Sequence, residues 1–242
     1  MGDVPSITVD IALTLPAQLR QRAILSSELL AQRMAALGHP SAFRLGRPSP
    51  GSGGADQCEP HVSVFMLAVE ESEVGRVLTA AASTAASHLA VTAAGHHWGL
   101  NQQGAPELYL RQSAAWGTLQ RAVVAATEPL RRGRLRETDP AGTRLADLVA
   151  ELRRYGSDPE RLRQLETYGY DEVTDAFASR FRPHITVAWP ADNEFKVSLD
   201  GLPPPTDFDG VLSGLAVFGM GLNGTCTRRY GEYVLGGRLT AA

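Results

Sequence analysis

Pro60-His-Val-Ser-Val64 and Pro183-His-Ile-Thr-Val187 are two near-copies of one pentapeptide, set in opposite halves of a chain of 242 residues. Each places a histidine two residues before a hydroxyl, with a β-branched apolar residue between them and another after. In a strand, residues i and i+2 share a face. His61 therefore stands beside Ser63 and His184 beside Thr186, while Val62, Val64, Ile185 and Val187 turn toward the core. The triplet alone is a weak signal, since 6 histidines and 31 serines and threonines give about one match by chance. His39-Pro-Ser41 is such a match, with a proline inside it and a loop behind it, which does not suit a strand. The strand context of the other two carries the signal.

Working outward from the pair, Ile7, Val9, Ile11 and Leu13 alternate with Thr8, Asp10 and Ala12, the pattern of a half-buried strand. Pro16 opens a helix whose apolar face carries Leu19, Ala23, Leu30, Met34 and Leu37, and Gly38 ends it. A weak strand is expected at 42–45, then an exposed Pro/Gly loop over 46–57, then a strong strand at 61–69. Val74, Val77, Leu78, Ala81 and Ala85 mark a second helix, and strands follow near 89–93 and 107–111. Leu119, Ala122, Val123, Ala126 and Leu130 mark a third, with the basic run Arg131–Arg136 read as its solvated end. Residues 140–166 read as a helical insertion, its second helix opened by a capping box at Ser157-Asp-Pro-Glu160. Strands at 184–189, 211–218 and 230–235 complete an α+β chain with mostly antiparallel pairing.

Composition sets limits on function. With 43% hydrophobic and 20% charged residues the chain suits an ordinary globular core. A net charge of -3 gives no positive field to gather long duplex nucleic acid. Cys58 and Cys226 form neither a disulfide framework nor a zinc ribbon, which suggests a reducing compartment. No apolar run of membrane length and no secretory signal is seen, and Ala/Arg/Gly-rich usage looks bacterial. A cytoplasmic protein is the expectation.

Two imidazoles and two hydroxyls meeting across one groove suit phosphodiester chemistry. One neutral histidine accepts a proton, the other donates one, and the hydroxyls hold phosphate oxygens. The arrangement resembles the 2H phosphoesterase superfamily (LigT-like, 2′-5′ RNA ligase-like), whose signature is two His-hydrophobic-Thr/Ser motifs. Arg182-Pro-His-Ile-Thr-Val-Ala188 is similar to the second motif of RNA 2′,3′-cyclic phosphodiesterases. Tyr168-Gly-Tyr170 leading to Phe181-Arg-Pro-His-Ile-Thr186 is similar to the branch linked to phosphonate metabolism. The resemblance implies a single bilobal, pseudo-twofold domain of two mostly antiparallel sheets, with helices outside and a central groove. Its approximate lobes are 1–130 and 167–242. It implies His61 and His184 as the acid/base pair, Ser63 and Thr186 as phosphate ligands, and neither metal nor other cofactor. Serine stands at 63 where threonine is commoner, which keeps the hydroxyl and frees its rotamer.

Other residues are weaker candidates. Arg182 shares the face of His184 on a regular strand, and Tyr168, Tyr170 and Trp98 could stack on a base, with Arg180 a further phosphate contact. His96-His97-Trp98 reads as a surface loop. A metal set of His61, His96 and His184 lacks ligand spacing, and Cys58 is too near His61 on one strand for a dyad. The expected activity is a metal-independent cyclic phosphodiesterase. Its substrate would be a 2′,3′-cyclic phosphate or 2′-5′ linkage of a short nucleotide, RNA end or small cyclic phosphate. It is expected to act as a monomer away from membranes. The alternatives are a non-catalytic nucleotide-binding module, or a fold reused for acid/base work in small-molecule biosynthesis.

Overall fold

The computed structural model describes residues 6–50, 56–192 and 195–237. The first strand, β1 (Ser6–Thr14), is followed by helix α1 (Ala17–Ala36) and strand β2 (His61–Glu70). Then come α2 (Val74–Ser87), β3 (Val91–Ala93), β4 (Gly95–Leu100), β5 (Pro106–Leu110) and α3 (Ala114–Thr127). Helices α4 (Leu145–Tyr155) and α5 (Pro159–Tyr168) precede β6 (His184–Thr186), β7 (Gly210–Leu212), β8 (Gly214–Met220) and β9 (Cys226–Val234).

Two main antiparallel sheets and a two-stranded ribbon result. The larger has the order β2-β1-β8-β9, the smaller β4-β5-β6, and β3 pairs with β7. The α+β class and antiparallel pairing are as the sequence led us to expect. Each of the two main sheets draws strands from both halves of the chain. The larger takes two strands from each end, and the smaller joins β4 and β5 to β6 from beyond the insertion.

β1 is central rather than half-buried. Val9, Ile11 and Leu13 pack into the main core with Val62, Val64 and Phe65 of β2. Asp10 and Ala12 on the other face are fully buried too. Between Ile11 and Ala12 the register of β1 on β2 slips by one residue, pairing Ile11 with Phe65 but Ala12 with Ser63. A bulge of this kind re-aims side chains. It lets Met66 share a cavity with His61 and Ser63, while Val64 stays in the core.

Several elements differ from expectation for identifiable reasons. Residues 42–45 form no strand. Ser41 Oγ donates to the Phe43 carbonyl, and Gly46 at φ +70° turns the chain away. Residues 51–55 of the 46–57 loop lie outside the described residues. His96-His97-Trp98 lies in β4, not a loop, because Gly95 lets the strand start against Pro205. A Cβ there would sit 1.7 Å from the Pro205 carbonyl oxygen. Strand 184–189 stops at Thr186, and strand 211–218 breaks at Ser213 so that β7 and β8 join different partners. Leu37 is exposed, just past the end of α1.

The insertion is two helices packed on Leu145, Val149, Leu152 and Leu165, a small core separate from the main one. Asp158, not Ser157, caps α5, accepting from the Arg161 amide with Pro159 at the first helical position. The basic run is no solvated helix end, since Arg131 and Arg136 are each 3% exposed. Arg131 donates to the carbonyls of Arg134 and Thr167, satisfying an orphan acceptor in the last turn of α5 and tying the insertion to the body. No helix among the described residues is long and apolar enough to cross a membrane.

Candidate functional site

A cavity of about 520 Å³ is lined by His61, Ser63, His184 and Thr186 together, so the topology brings both motifs to one place. A volume of this order suits a small organic ligand. Each histidine begins its strand and is fixed in the same way. His61 Nδ1 lies 2.7 Å from the Glu59 carbonyl oxygen, and His184 Nδ1 lies 2.7 Å from that of Arg182. A carbonyl can only accept, so Nδ1 carries the hydrogen in both rings and Nε2 is left for proton transfer.

A buried carboxylate stands behind each Nε2. Asp10 Oδ2 is 3.7 Å from that of His61, and Glu107 Oε1 is 3.8 Å from that of His184. These separations exceed a hydrogen bond, so the coupling is electrostatic. Burial of His184 opposes its charge, but Glu107 and Glu172 outweigh that effect and hold the imidazole above its ordinary value. Burial also lifts the carboxyls of Asp10 and Glu172 above theirs.

The surroundings then diverge. Ser63 Oγ donates to Asp10 Oδ2 at 2.6 Å, the Cys226 thiol donates to the same oxygen at 3.5 Å, and Oδ1 is buried with no hydrogen-bond partner. Beside His184, Asn101 Nδ2 donates to Glu107 Oε1 at 2.8 Å. There Tyr109 of β5 pairs with His184 of β6, and its ring stacks on His97 at a centroid distance of 4.8 Å.

The remaining candidates sort by position. Arg182 lines the cavity with its side chain 65% exposed, 3.8 Å from Glu172 and with its guanidinium 5.9 Å from the centre of the Tyr109 ring. It lies before β6 rather than in it, and its backbone carbonyl holds His184. Tyr170 lines the cavity but is only 4% exposed, packed edge-on to Phe65 with Arg136 over its ring. Tyr168 and Trp98 do not line it. Tyr168 packs against the main core with Arg163 and Asp175 nearby, and the Trp98 indole donates to the Pro203 carbonyl. Arg180 lines the cavity, with its guanidinium on Asp158 and the Asp171 carbonyl. His96, His97 and Cys58 are not in the lining, so the set His61, His96 and His184 is not assembled there.

Sequence reasoning missed Asp10, Glu107, Arg136 and Cys226. Asp10 gave a visible signal, a lone acid in a strand rich in β-branched residues, but alternation assigned it to solvent. Glu107 opens a strand like many exposed residues. Its place beside His184 comes from β5 pairing with a strand far along the chain.

No family model matches the sequence, and no curated protein matches it. Among solved structures the chain is similar to E. coli LigT complexed with NADP+, at 12% identity over 96% of this chain and 100% of that one, with a TM-score of 0.48. It is similar to a phosphoesterase at 16% identity over 95% and 98% of the two chains, with a TM-score of 0.49. Similarity to Kluyveromyces marxianus Usb1 covers 93% and 97% of the two chains at 12% identity, with a TM-score of 0.38.

Proposed function

We propose that the chain is a phosphoesterase that hydrolyses a 2′,3′-cyclic phosphate or a 2′-5′ phosphodiester. The substrate is a short nucleotide, an RNA end or a small cyclic phosphate, and the chemistry is two-histidine acid/base catalysis. The observation that carries this reading is the shared cavity: both motif histidines and both hydroxyls line it, and each imidazole has Nδ1 fixed and Nε2 available.

In this scheme His61 is the base and His184 the acid. The assignment follows from the two carboxylates that favour the charged form of His184. His61 Nε2 takes a proton from water as the water oxygen bonds to phosphorus. The bond from phosphorus to the leaving ribose oxygen breaks, and that oxygen takes the proton from His184 Nε2. Exchange with solvent then resets both rings. Thr186, Ser63 and Arg182 hold the phosphate oxygens as negative charge builds on them. Ser63 can turn its proton to phosphate when Asp10 carries a proton of its own, a form that burial favours. Catalysis in this scheme involves no metal or cofactor.

The test is turnover by the purified protein on 2′,3′-cyclic nucleotides, 2′-5′ dinucleotides and ribose cyclic phosphates, with binding measured alongside. Hydrolysis of one class that is lost in both His61→Ala and His184→Ala is the expected result. Tight binding with no turnover of any of them would replace this reading with the nucleotide-binding module.

A further inference from the structure

We propose that Asp10, His61 and Cys226 form a binding site for Zn²⁺ and that its occupancy switches off the histidine pair. The donor atoms come from three strands of the larger sheet, β1, β2 and β9, and all lie within 4.8 Å of one another. Asp10 Oδ2 is 3.5 Å from Cys226 Sγ and 3.7 Å from His61 Nε2. Ligand edges around tetrahedral zinc measure roughly 3.3–3.6 Å, given metal–ligand bonds of about 2.0–2.3 Å. Two edges are therefore close to formed, and the third closes by small turns of the thiol and imidazole.

Independent observations point the same way. Asp10 is wholly buried, and its Oδ2, the oxygen that faces His61 and Cys226, would carry a buried negative charge that a cation bound there neutralises. His61 donates Nδ1–H to a backbone carbonyl, the outer contact that fixes a metal-binding imidazole with the Nε2 lone pair toward the ion. One sulfur, one nitrogen and one oxygen suit zinc far better than magnesium or calcium. Arg136 also acts on Asp10, Asp10 in turn acts on Tyr170, and Ser63 donates to Asp10. A carboxylate and a thiolate together cancel the charge of a divalent cation, so Arg136 meets a neutral centre rather than a second positive charge. On binding, the Cys226 S–H bond breaks and the sulfur bonds to the metal, Asp10 gives up any proton it carries and bonds through Oδ2, and the released protons pass to solvent. The fourth position is left for water or a ligand oxygen. Because the ion takes His61 Nε2, the base is lost. This last step rests on the proposed function, whereas the binding does not.

The experiment uses the purified 242-residue chain and Co²⁺ as a spectroscopic probe. The wild-type protein should take up one equivalent with a near-ultraviolet thiolate-to-cobalt band that Zn²⁺ displaces. The band should vanish in Cys226→Ala and Cys226→Ser, and persist in Cys58→Ala. Absence of the band from wild type, its survival in the folded Cys226 variants, or its loss in Cys58→Ala would each overturn the site. In parallel, Zn²⁺ should inhibit hydrolysis at one equivalent and a chelator should restore it. Cys226→Ala, measured against its own metal-free rate, should need about 100-fold more Zn²⁺ for the same inhibition. Hydrolysis that proceeds unaffected or faster with zinc bound would overturn the switch and leave the phosphoesterase reading standing. If no substrate is turned over, the cobalt measurements still decide the site.

Discussion

The two motif strands hold their histidines in nearly the same geometry, yet they sit in different electrostatic surroundings. On both sides Nδ1 is 2.7 Å from a carbonyl two residues back, and a buried acid stands just under 4 Å from Nε2. Behind His61 lies a cluster of Asp10, Ser63 and Cys226 from β1, β2 and β9 of the larger sheet, with Asp10 and Cys226 fully buried. Behind His184 lies a more polar wall, where Glu172 is half-buried and Arg182 is open to solvent. The pentapeptide and the residue just before it suffice for the imidazole geometry because the fixing bond, to the Glu59 or Arg182 carbonyl, is local. The charge on each ring is set by strands from elsewhere in the chain, so duplication of the motif does not duplicate the chemistry.

Removing either imidazole is the strongest way to break this comparison. His61→Ala and His184→Ala should each lower kcat by about 10²- to 10⁴-fold, with the double variant little worse than either, because both act in one transition state. Single-turnover assays on the substrate found by screening check this. Full activity in one variant would remove that histidine from the mechanism.

The hydroxyls should separate the two sides next. Ser63→Ala leaves buried Asp10 Oδ2 with only the weak thiol donor of Cys226 and should cost about 1–3 kcal/mol in urea unfolding, whereas Thr186→Ala should cost less than about 1 kcal/mol. Both should slow turnover, and Ser63→Thr should be tolerated. Equal stability losses would mean that the Asp10 bond contributes nothing distinctive.

A third test follows from the raised pKa of His184. A histidine held above its unfolded value stabilises the fold fully below about pH 6.5, and that contribution disappears as pH rises through the folded value. Glu107→Gln removes the first of the two carboxylates responsible. Its stability deficit should therefore be larger at acid than at alkaline pH, and the alkaline limb of kcat/KM should move to lower pH. Thermal melts across pH and an NMR titration of the ring check both. An unmoved titration would return the acid and base assignments to an open choice. The smallest effect belongs to His96→Ala. This exposed ring lies outside the cavity, so stability should stay within about 0.5 kcal/mol and kcat should not change.

What the sequence made legible was whatever depends on near neighbours. Alternation and helical spacing located β1, β2 and the helices, and the repeated pentapeptide located the histidines and hydroxyls. Asp10 escaped because alternation tells only that a residue faces away from one core, not that a second layer covers it. Arg131 and Arg136 escaped for a related reason. A run of arginines normally marks a solvated surface, and nothing nearby indicates that α5 will present orphan carbonyls to one of them. Pairing Glu107 with the His184 strand needed the crossing of the 140–166 insertion, which no local pattern encodes.

The order of strands in the larger sheet has a consequence for how the molecule is made. β1 and β2 leave the ribosome first, and β8 and β9, which complete their sheet, follow only after the intervening helices and the strands of the smaller sheet have been made. Until then β1 has an open edge, and the pocket behind His61 lacks its Cys226 wall. Such long-range pairing is slow to form and prone to association while it waits. A nascent or prematurely ended chain therefore carries His61 without the strands that complete its surroundings. The surroundings of His61 are thus assembled only once β9 has been made.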